Sequence, residues 1–224
     1  MIDATQSLED ACNKATANNL VKRYVKEEWN KYLKPLNKNP VKFDLITRLN
    51  SRRPIQIPYS DMRDILGDLV NNSMSAISRT IDLSGEEIME IFEPYEAPGK
   101  IVLRTKDVGD LTLVEIEDDG YGIDPKKICD RAKHLLDKEM APSDIIDYIF
   151  TERFSTKGSP GLGLSDSRAK VEKVGGRIYI AGTTYIKDGK FFADSWRDYI
   201  TVGEHPGKAT GTIIRMEFPS KHKK

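Results

Sequence analysis

The most informative segment of this 224-residue chain reads Asp64-Ile65-Leu66-Gly67-Asp68-Leu69-Val70-Asn71-Asn72-Ser73-Met74-Ser75-Ala76-Ile77. Its apolar residues recur every three to four positions, which predicts an amphipathic helix with one buried stripe. Asp64, Asp68 and Asn72 are four residues apart, so their side chains lie one above the other on a single helical face. Such a row of oxygen-bearing side chains suits a hydrated Mg²⁺ or simply a solvated surface, and the helix alone does not separate these two interpretations.

A carboxylate followed by two glycines comes next along the chain. The alternating segment Leu111 to Glu117 predicts a strand, and it runs directly into Asp118-Asp119-Gly120-Tyr121-Gly122-Ile123-Asp124-Pro125. Glycines at a strand end let the backbone approach a flat ligand closely, while the carboxylate accepts a hydrogen bond from that ligand. This segment therefore indicates one side of a small-molecule site.

The third segment is glycine-rich and precedes a predicted helix from Ser165 to about Val174. It reads Phe154-Ser155-Thr156-Lys157-Gly158-Ser159-Pro160-Gly161-Leu162-Gly163-Leu164. Backbone N–H groups at a helix N-terminus form a favourable site for phosphate groups. Each of the three segments is common by itself, but their occurrence in this order is a strong indication of a nucleotide site.

In this order the three segments resemble the GHKL superfamily, which includes histidine kinases, DNA gyrase B, MutL and the ninety-kilodalton chaperones. The resemblance covers roughly Ile57 to Pro219 and implies binding of ATP with Mg²⁺. We expect an α+β two-layer sandwich with a mixed, mostly antiparallel sheet, covered by helices on one face and preceded by a helical N-terminal segment. The segment Gly211 to Pro219 is similar to the closing strand of the histidine-kinase catalytic domain.

The resemblance also implies roles for individual residues. Asn72 would bind Mg²⁺, and Asp118 would accept a hydrogen bond from the adenine amino group. Gly120 and Gly122 would flank the base, and Thr212 would lie near it. The lid over the phosphates would be formed by Ser155, Thr156, Lys157, Gly161, Leu162, Gly163 and Leu164.

Composition limits the class of protein. Lys plus Arg equals Asp plus Glu at 35 each, which argues against a dedicated nucleic-acid-binding protein. No apolar run reaches the roughly 20 residues of a membrane span, and the first residues do not form a signal peptide. Two cysteines, Cys12 and Cys129, are too few for a disulfide framework or a zinc site. We therefore expect a soluble, cytoplasmic protein with no membrane contact in this chain.

The N-terminal residues 1–54 are predicted to be a helical segment. Its amphipathic helix from Ser7 to Leu33 needs the ATP domain or another chain to cover its apolar edge, so a homodimer through this helix is one hypothesis. We expect a further helical turn around Asp44 to Leu49. Ser60 is a predicted N-cap of the central helix.

Residues 55–219 are predicted to form the ATP-binding domain. Within it we expect a hairpin between Lys100 and Glu117, short helices at residues 86–92, 125–136 and 142–150, and an added hairpin at about 183–210. A basic tail occupies residues 220–224. The added hairpin could serve as a partner surface or cap the edge of its own sheet.

Three functions remain open from the sequence. A kinase would transfer the γ-phosphate to a protein acceptor. Because His134, His205 and His222 all follow Asn72, either this acceptor lies on another protein or the chain is a divergent or trimmed kinase. An ATPase would use Asp68, four residues before Asn72, as the base that activates water, and the alternative role for Asp68 is contact with Mg²⁺ through a water molecule. A nucleotide-gated interaction module would bind ATP with little turnover. In the first two, Lys157 would neutralise phosphate charge.

Overall fold

The computed structural model describes residues 15–33, 43–83, 99–123, 128, 148–151, 163–187, 190–194 and 211–220. The helices are α1 (Ala17–Tyr24), which continues as a π-helix (Val25–Leu33), α2 (Tyr59–Leu83), a 3-10 helix (Tyr148–Phe150) and α3 (Gly163–Lys173). The strands are β1 (Phe43–Leu49), β2 (Gly99–Val108), β3 (Leu111–Asp118), β4 (Arg177–Lys187), β5 (Lys190–Asp194) and β6 (Gly211–Pro219).

The six strands form one sheet in the order β1-β2-β3-β6-β4-β5. Only β1 and β2 pair in parallel, and the other four pairings are antiparallel. Helices α2 and α3 pack on this sheet and on each other around a single main core. The predicted α+β sandwich with a mixed, mostly antiparallel sheet is therefore confirmed.

The central helix α2 packs the predicted apolar stripe into the core. Ile65, Leu66, Leu69 and Val70 are all fully buried. The helix starts at Tyr59, and the backbone N–H of Met62 donates to the carbonyl of Pro58. The prediction of Ser60 as the N-cap is wrong, because that residue already lies within the first turn.

The N-terminal helix is part of the same core. Thr16 caps α1 by accepting a hydrogen bond from the backbone N–H of Asn19 at 3.3 Å. The apolar side chains that α1 and its π-helical continuation bury in the core are Ala17, Leu20, Val21, Tyr24 and Trp29. Over residues 17–29, the apolar edge is therefore covered by the chain's own domain. The start of the predicted helix, residues 7–14, lies outside the described residues.

The segment predicted as a helical turn around Asp44 to Leu49 is a strand, so that prediction is wrong. Leu45 and Leu49 are four residues apart, which fits one face of a helix, but they also alternate with exposed Asp44 and Arg48. A short segment of this kind fits both periods, and pairing with β2 over seven residues decides between them.

Glycines end α3 close to the predicted end of this helix at about Val174. Gly175 has φ of +75°, a left-handed conformation that favours glycine, and its N–H donates to the carbonyl of Glu172 at 2.9 Å. The N–H of Gly176 donates to the carbonyl of Val171 at 3.0 Å. Helix α3 itself begins at Gly163, two residues before the predicted start.

Several predicted elements fall partly or wholly outside the described residues. Strands β4 and β5 pair antiparallel within the region predicted as an added hairpin, whereas residues 195–210 are not described. The helix predicted at 86–92 and, apart from helical Ile128, the helix at 125–136 are also not described. Of the helix predicted at 142–150, the described part is the 3-10 turn at Tyr148–Phe150. In the part of the chain that the structure describes, none of the helices is long and apolar enough to cross a membrane.

Candidate nucleotide-binding site

Asp118 ends β3 with a carboxyl group that is almost completely removed from solvent. The residue is 6% exposed. The hydroxyl of Ser73 on α2 donates to Oδ2 at 3.1 Å, and the backbone N–H of Gly120 donates to Oδ1 at 3.0 Å. Burial raises the pKa of Asp118 to about 7, and these two hydrogen bonds act in the opposite direction. The protein therefore supplies only part of the hydrogen bonds that this buried carboxyl group can accept.

The two glycines after Asp118 are required for different reasons. A Cβ atom on Gly120 would lie 2.6 Å from the Cβ of Ala76 and 2.9 Å from its backbone carbon, so this glycine lets the loop pack directly on α2. Gly122 has φ of +74°, which favours glycine by conformation. The predicted glycine pair is therefore explained in part by packing within the protein.

Thr183 on β4 ties this loop to the closing strand. Its hydroxyl accepts a hydrogen bond from the backbone N–H of Ile123 at 2.8 Å and donates to the carbonyl of Gly211 at 3.0 Å. The residue is 2% exposed. Sequence reasoning did not identify Thr183 as a site residue, because no motif includes it and its partners are 60 and 28 residues away.

Strand β6 comes very close to the end of β3. Thr212 is the register partner of Asp118 and is itself buried. A Cβ atom on Gly211 would lie only 2.1 Å from the carbonyl oxygen of Asp118, so a side chain at that position would force the strands apart. The structure thus brings the predicted residues Asp118 and Thr212 together at one end of the sheet.

Asp119 fixes the other side of the loop. Its carboxylate accepts a hydrogen bond from the backbone N–H of Lys100 at 2.8 Å, and its own N–H donates to the carbonyl of Lys100 at 3.3 Å. Burial raises the pKa of Asp119. Of the two neighbouring aspartates, Asp119 therefore anchors the loop to β2, and Asp118 faces α2.

Asp68 lies against the start of α3, the helix that follows the glycine-rich segment. A Cβ atom on Gly163 would lie 3.3 Å from the Cγ and Oδ2 atoms of Asp68, and the hydroxyl of Ser167 donates to Oδ2 at 3.4 Å. Burial raises the pKa of Asp68, whereas the charge of Lys170 lowers it. The position expected to act on the phosphate end is therefore close to the helix terminus expected to bind phosphates.

Asp64 is held by charge pairs. The ammonium of Lys170 on α3 lies 3.0 Å from Oδ2 of Asp64 and 2.7 Å from Oδ2 of Asp166. Arg63 donates to Oδ1 of Asp64 at 2.9 Å, and this hydrogen bond, ahead of the one from Lys170, lowers the pKa of Asp64. Of the three residues in the row Asp64, Asp68 and Asn72, Asp64 is therefore engaged in charge pairs, and its pair with Lys170 links α2 to α3.

The described residues contain no group of three or more His, Cys, Asp or Glu side chains that could hold a metal ion. Half-buried Asn72 lies one turn after Asp68 on α2.

Of the predicted lid, Gly163 and Leu164 open α3, and Leu164 packs against the main core. The remaining lid residues, which lie outside the described residues, are Ser155, Thr156, Lys157, Gly161 and Leu162.

Comparison with known proteins identifies the class to which this fold and site belong. Residues 59–222 match the family described as histidine kinase-, DNA gyrase B-, and HSP90-like ATPases. This match covers well over half of the sequence, so the chain belongs to that family of ATP-dependent kinase and ATPase domains.

The relatives that the chain matches include a chemotaxis protein and a motility regulatory protein. The chain is 30% identical over 129 residues to the chemotaxis protein CheA of Borreliella burgdorferi, covering 53% of this chain and 15% of that protein. It is 29% identical over 133 residues to the gliding motility regulatory protein of Myxococcus xanthus, covering 53% of this chain and 17% of that protein. The chain therefore spans only a small part of the length of these relatives.

The fold matches solved structures of kinase domains. A mycobacterial sensor histidine kinase, MprB, superposes with a TM-score of 0.51 over 92% of this chain and 97% of that chain, at 14% sequence identity. At so low an identity the match shows the fold alone.

Proposed function

We propose that this domain binds ATP together with Mg²⁺ and transfers the γ-phosphate to a side chain of a separate protein. The observation that supports this most directly is the buried carboxyl of Asp118, which faces α2 at the end of β3. Each carboxylate oxygen accepts more than one hydrogen bond, so Asp118 retains capacity for the adenine amino group after binding Ser73 and Gly120.

The other ligand contacts follow from the same arrangement. Thr212 lies opposite Asp118 in the sheet and would adjoin the base. The N-terminus of α3 at Gly163 would present backbone N–H groups to the phosphates, because a negative charge is favoured at a helix N-terminus. Asn72 would provide an oxygen ligand to Mg²⁺, and Lys157 would neutralise charge on the γ-phosphate.

The phosphoryl acceptor is proposed to be a protein in trans. The relatives named above are a chemotaxis protein and a motility regulator, and the structural match is to a sensor kinase. The three histidines of the given sequence, at positions 134, 205 and 222, all follow the central helix, so an acceptor histidine within residues 1–58 is not available.

Hydrolysis is a second candidate function, favoured by the environment of Asp68. Burial raises the pKa of this carboxyl, which suits a general base, and the residue contacts the start of α3. Incubation with γ-labelled ATP and Mg²⁺, with and without candidate acceptor proteins, separates the two functions. Label on protein supports transfer, whereas free phosphate that is lost in Asp68→Asn supports hydrolysis. Neither product, despite ATP binding, would contradict both and leave a nucleotide-gated module.

The adenine assignment is tested by changing the protein and the base together. We expect Asp118→Asn to weaken ATP binding about 10- to 100-fold, because a hydrogen bond to a charged group is lost. Inosine triphosphate has a carbonyl in place of the amino group, so the unmodified protein should bind it much more weakly than ATP. Titration calorimetry with each nucleotide measures both effects, and Asp61→Asn, on the first turn of α2, is the matched control. Equal discrimination between the two nucleotides by the unmodified protein and by Asp118→Asn would contradict the assignment.

A further inference from the structure

Strand β1 lies at one end of the described sheet and exposes an apolar side chain between two opposite charges. Asp44, Ile46 and Arg48 are exposed, and Ile46 is 37% exposed although it is large and apolar. Phe43, Leu45 and Leu49, at the alternate positions of the strand, pack against the main core, whereas Thr47 is exposed. The exposed face of β1 therefore carries a short sequence of acid, isoleucine and base.

The backbone of β1 also has a defined outer edge. The N–H of Asn50, just after β1, donates to the carbonyl of Thr105 on β2 at 2.9 Å. Because alternate residues of a strand direct their backbone groups to opposite neighbours, even-numbered residues of β1 bond to β2. Leu45 and Thr47 consequently direct their N–H and C=O groups away from β2, toward the outer edge.

Asn18 of α1 closes one end of that edge. Its Nδ2 donates to the carbonyl of Leu49 at 3.3 Å, and its Oδ1 accepts a hydrogen bond from the N–H of Ser51 at 3.1 Å. The side chain thus satisfies two outward backbone groups in the way that a neighbouring strand would. The edge that remains runs from Asp44 to Arg48.

This five-residue edge is complementary to itself. If two copies meet antiparallel about an axis through Ile46, each Asp44 lies opposite Arg48 of the other copy, and the two Ile46 side chains meet. Leu45 and Thr47 then face one another and exchange four backbone hydrogen bonds between the copies. Ile46 and the charge pairs occupy the non-hydrogen-bonded positions, where opposing side chains approach most closely.

We propose that the Asp44–Arg48 edge of β1 is a homodimer interface, in which a second copy of this chain extends the sheet antiparallel about Ile46. Exposed edge strands are commonly protected by proline, bulges or charged side chains. Strand β1 pairs regularly with β2 and has no proline, and its two charges, Asp44 and Arg48, would each meet an opposite charge in this antiparallel pairing. The apolar residues of α1 are buried in the core, so over residues 17–29 that helix has little apolar surface for a partner. The inference is independent of the proposed nucleotide chemistry.

Charge reversal tests the interface and its register together. The full chain is examined by sedimentation equilibrium from about 10 µM to 1 mM, since a single strand pair forms a small, weak interface. We expect a reversible dimer, and we expect Asp44→Arg and Arg48→Asp each to weaken it at least tenfold by placing like charges opposite each other. A mixture of the two variants should form a heterodimer, because each variant then meets the opposite charge. Lys22→Glu, a charge reversal at an exposed position of α1, is the control and should dimerise normally.

The possible outcomes are distinct. Loss of the dimer in both single variants and its recovery on mixing supports the Ile46-centred pairing. A chain that stays monomeric over the whole concentration range, a dimer insensitive to both substitutions, or a failure of the mixture to associate each overturns it. Thermal melting of every variant checks that the monomers are folded, and ATP titration shows separately whether the nucleotide site functions.

Discussion

Asp118 holds its carboxyl group where water cannot solvate it, and this has consequences for stability as well as for ligand recognition. The protein offers it hydrogen bonds from Ser73 and Gly120, but burial still raises its pKa to about 7. In the unfolded chain the pKa would be near 3.8. Between these two values the folded state binds more protons than the unfolded state, so this residue lowers stability as the pH rises from about 4 to 7.

We therefore expect Asp118→Asn to stabilise the nucleotide-free protein at pH 8 and to have little effect near pH 4. The amide can accept from Gly120 and donate to Ser73, so the buried hydrogen bonds are retained without a buried charge. The gain at pH 8 should be about 1–3 kcal/mol, or a few degrees in melting temperature. Thermal melting from pH 4 to 8 gives the melting temperature of each protein. Subtracting the value of the unmodified protein from that of Asp118→Asn at each pH cancels the contribution of the other carboxyl groups, which both proteins share. A difference independent of pH would show that Asp118 does not titrate as described.

At the scale of elements, the loop after β3 is held by three separate parts of the fold. Asp119 fixes it to β2, Gly120 packs it on α2, and Thr183 joins Ile123 to Gly211 at the start of β6. The loop that would face the adenine is therefore positioned by β4 and β6 as well as by its own glycines.

We expect Thr183→Val to weaken ATP binding about five- to tenfold and Thr183→Ser to bind nearly as the unmodified protein does. Valine preserves the shape but leaves the N–H of Ile123 and the carbonyl of Gly211 without the hydroxyl, and an unsatisfied buried group costs about 1–3 kcal/mol. Binding is measured well below the melting temperatures, where a purely structural residue would leave affinity unchanged. A valine variant that melts lower but binds ATP normally would restrict Thr183 to a structural role.

Some features of the fold and of the candidate site could be predicted from the sequence, and others could not. The apolar stripe of α2 and the carboxylate at the end of β3 were predictable because each depends on neighbouring residues, whose spacing is visible. The strand at Phe43–Leu49 was mistaken for a helical turn because seven residues fit both periods until β2 supplies its hydrogen bonds. Thr183 was missed because its role depends on backbone groups that only the folded sheet brings together.

At the scale of the whole molecule, the predicted division at residue 54 does not separate two cores. Val21 and Tyr24 of α1 lie in the same cluster as Leu69 of α2 and Ile116 of β3. Strand β1 adds the N-terminal segment to the sheet itself. We infer that the described residues unfold as one cooperative unit, with the N-terminal segment stabilising the nucleotide site.

This inference predicts the effect of Val21→Ala, a change far in sequence from every proposed ATP contact. Val21 is fully buried, so truncation should cost about 1–3 kcal/mol and lower the melting temperature by several degrees. Unfolding followed by far-ultraviolet circular dichroism and by release of bound ATP should shift together, because the helix and the site share one core. Exposed Lys22→Ala is the matched control and should change stability by less than about 0.5 kcal/mol. If Val21→Ala instead produced an early transition of the helix while ATP release kept its original temperature, the N-terminal segment would be an appendage that does not support the site.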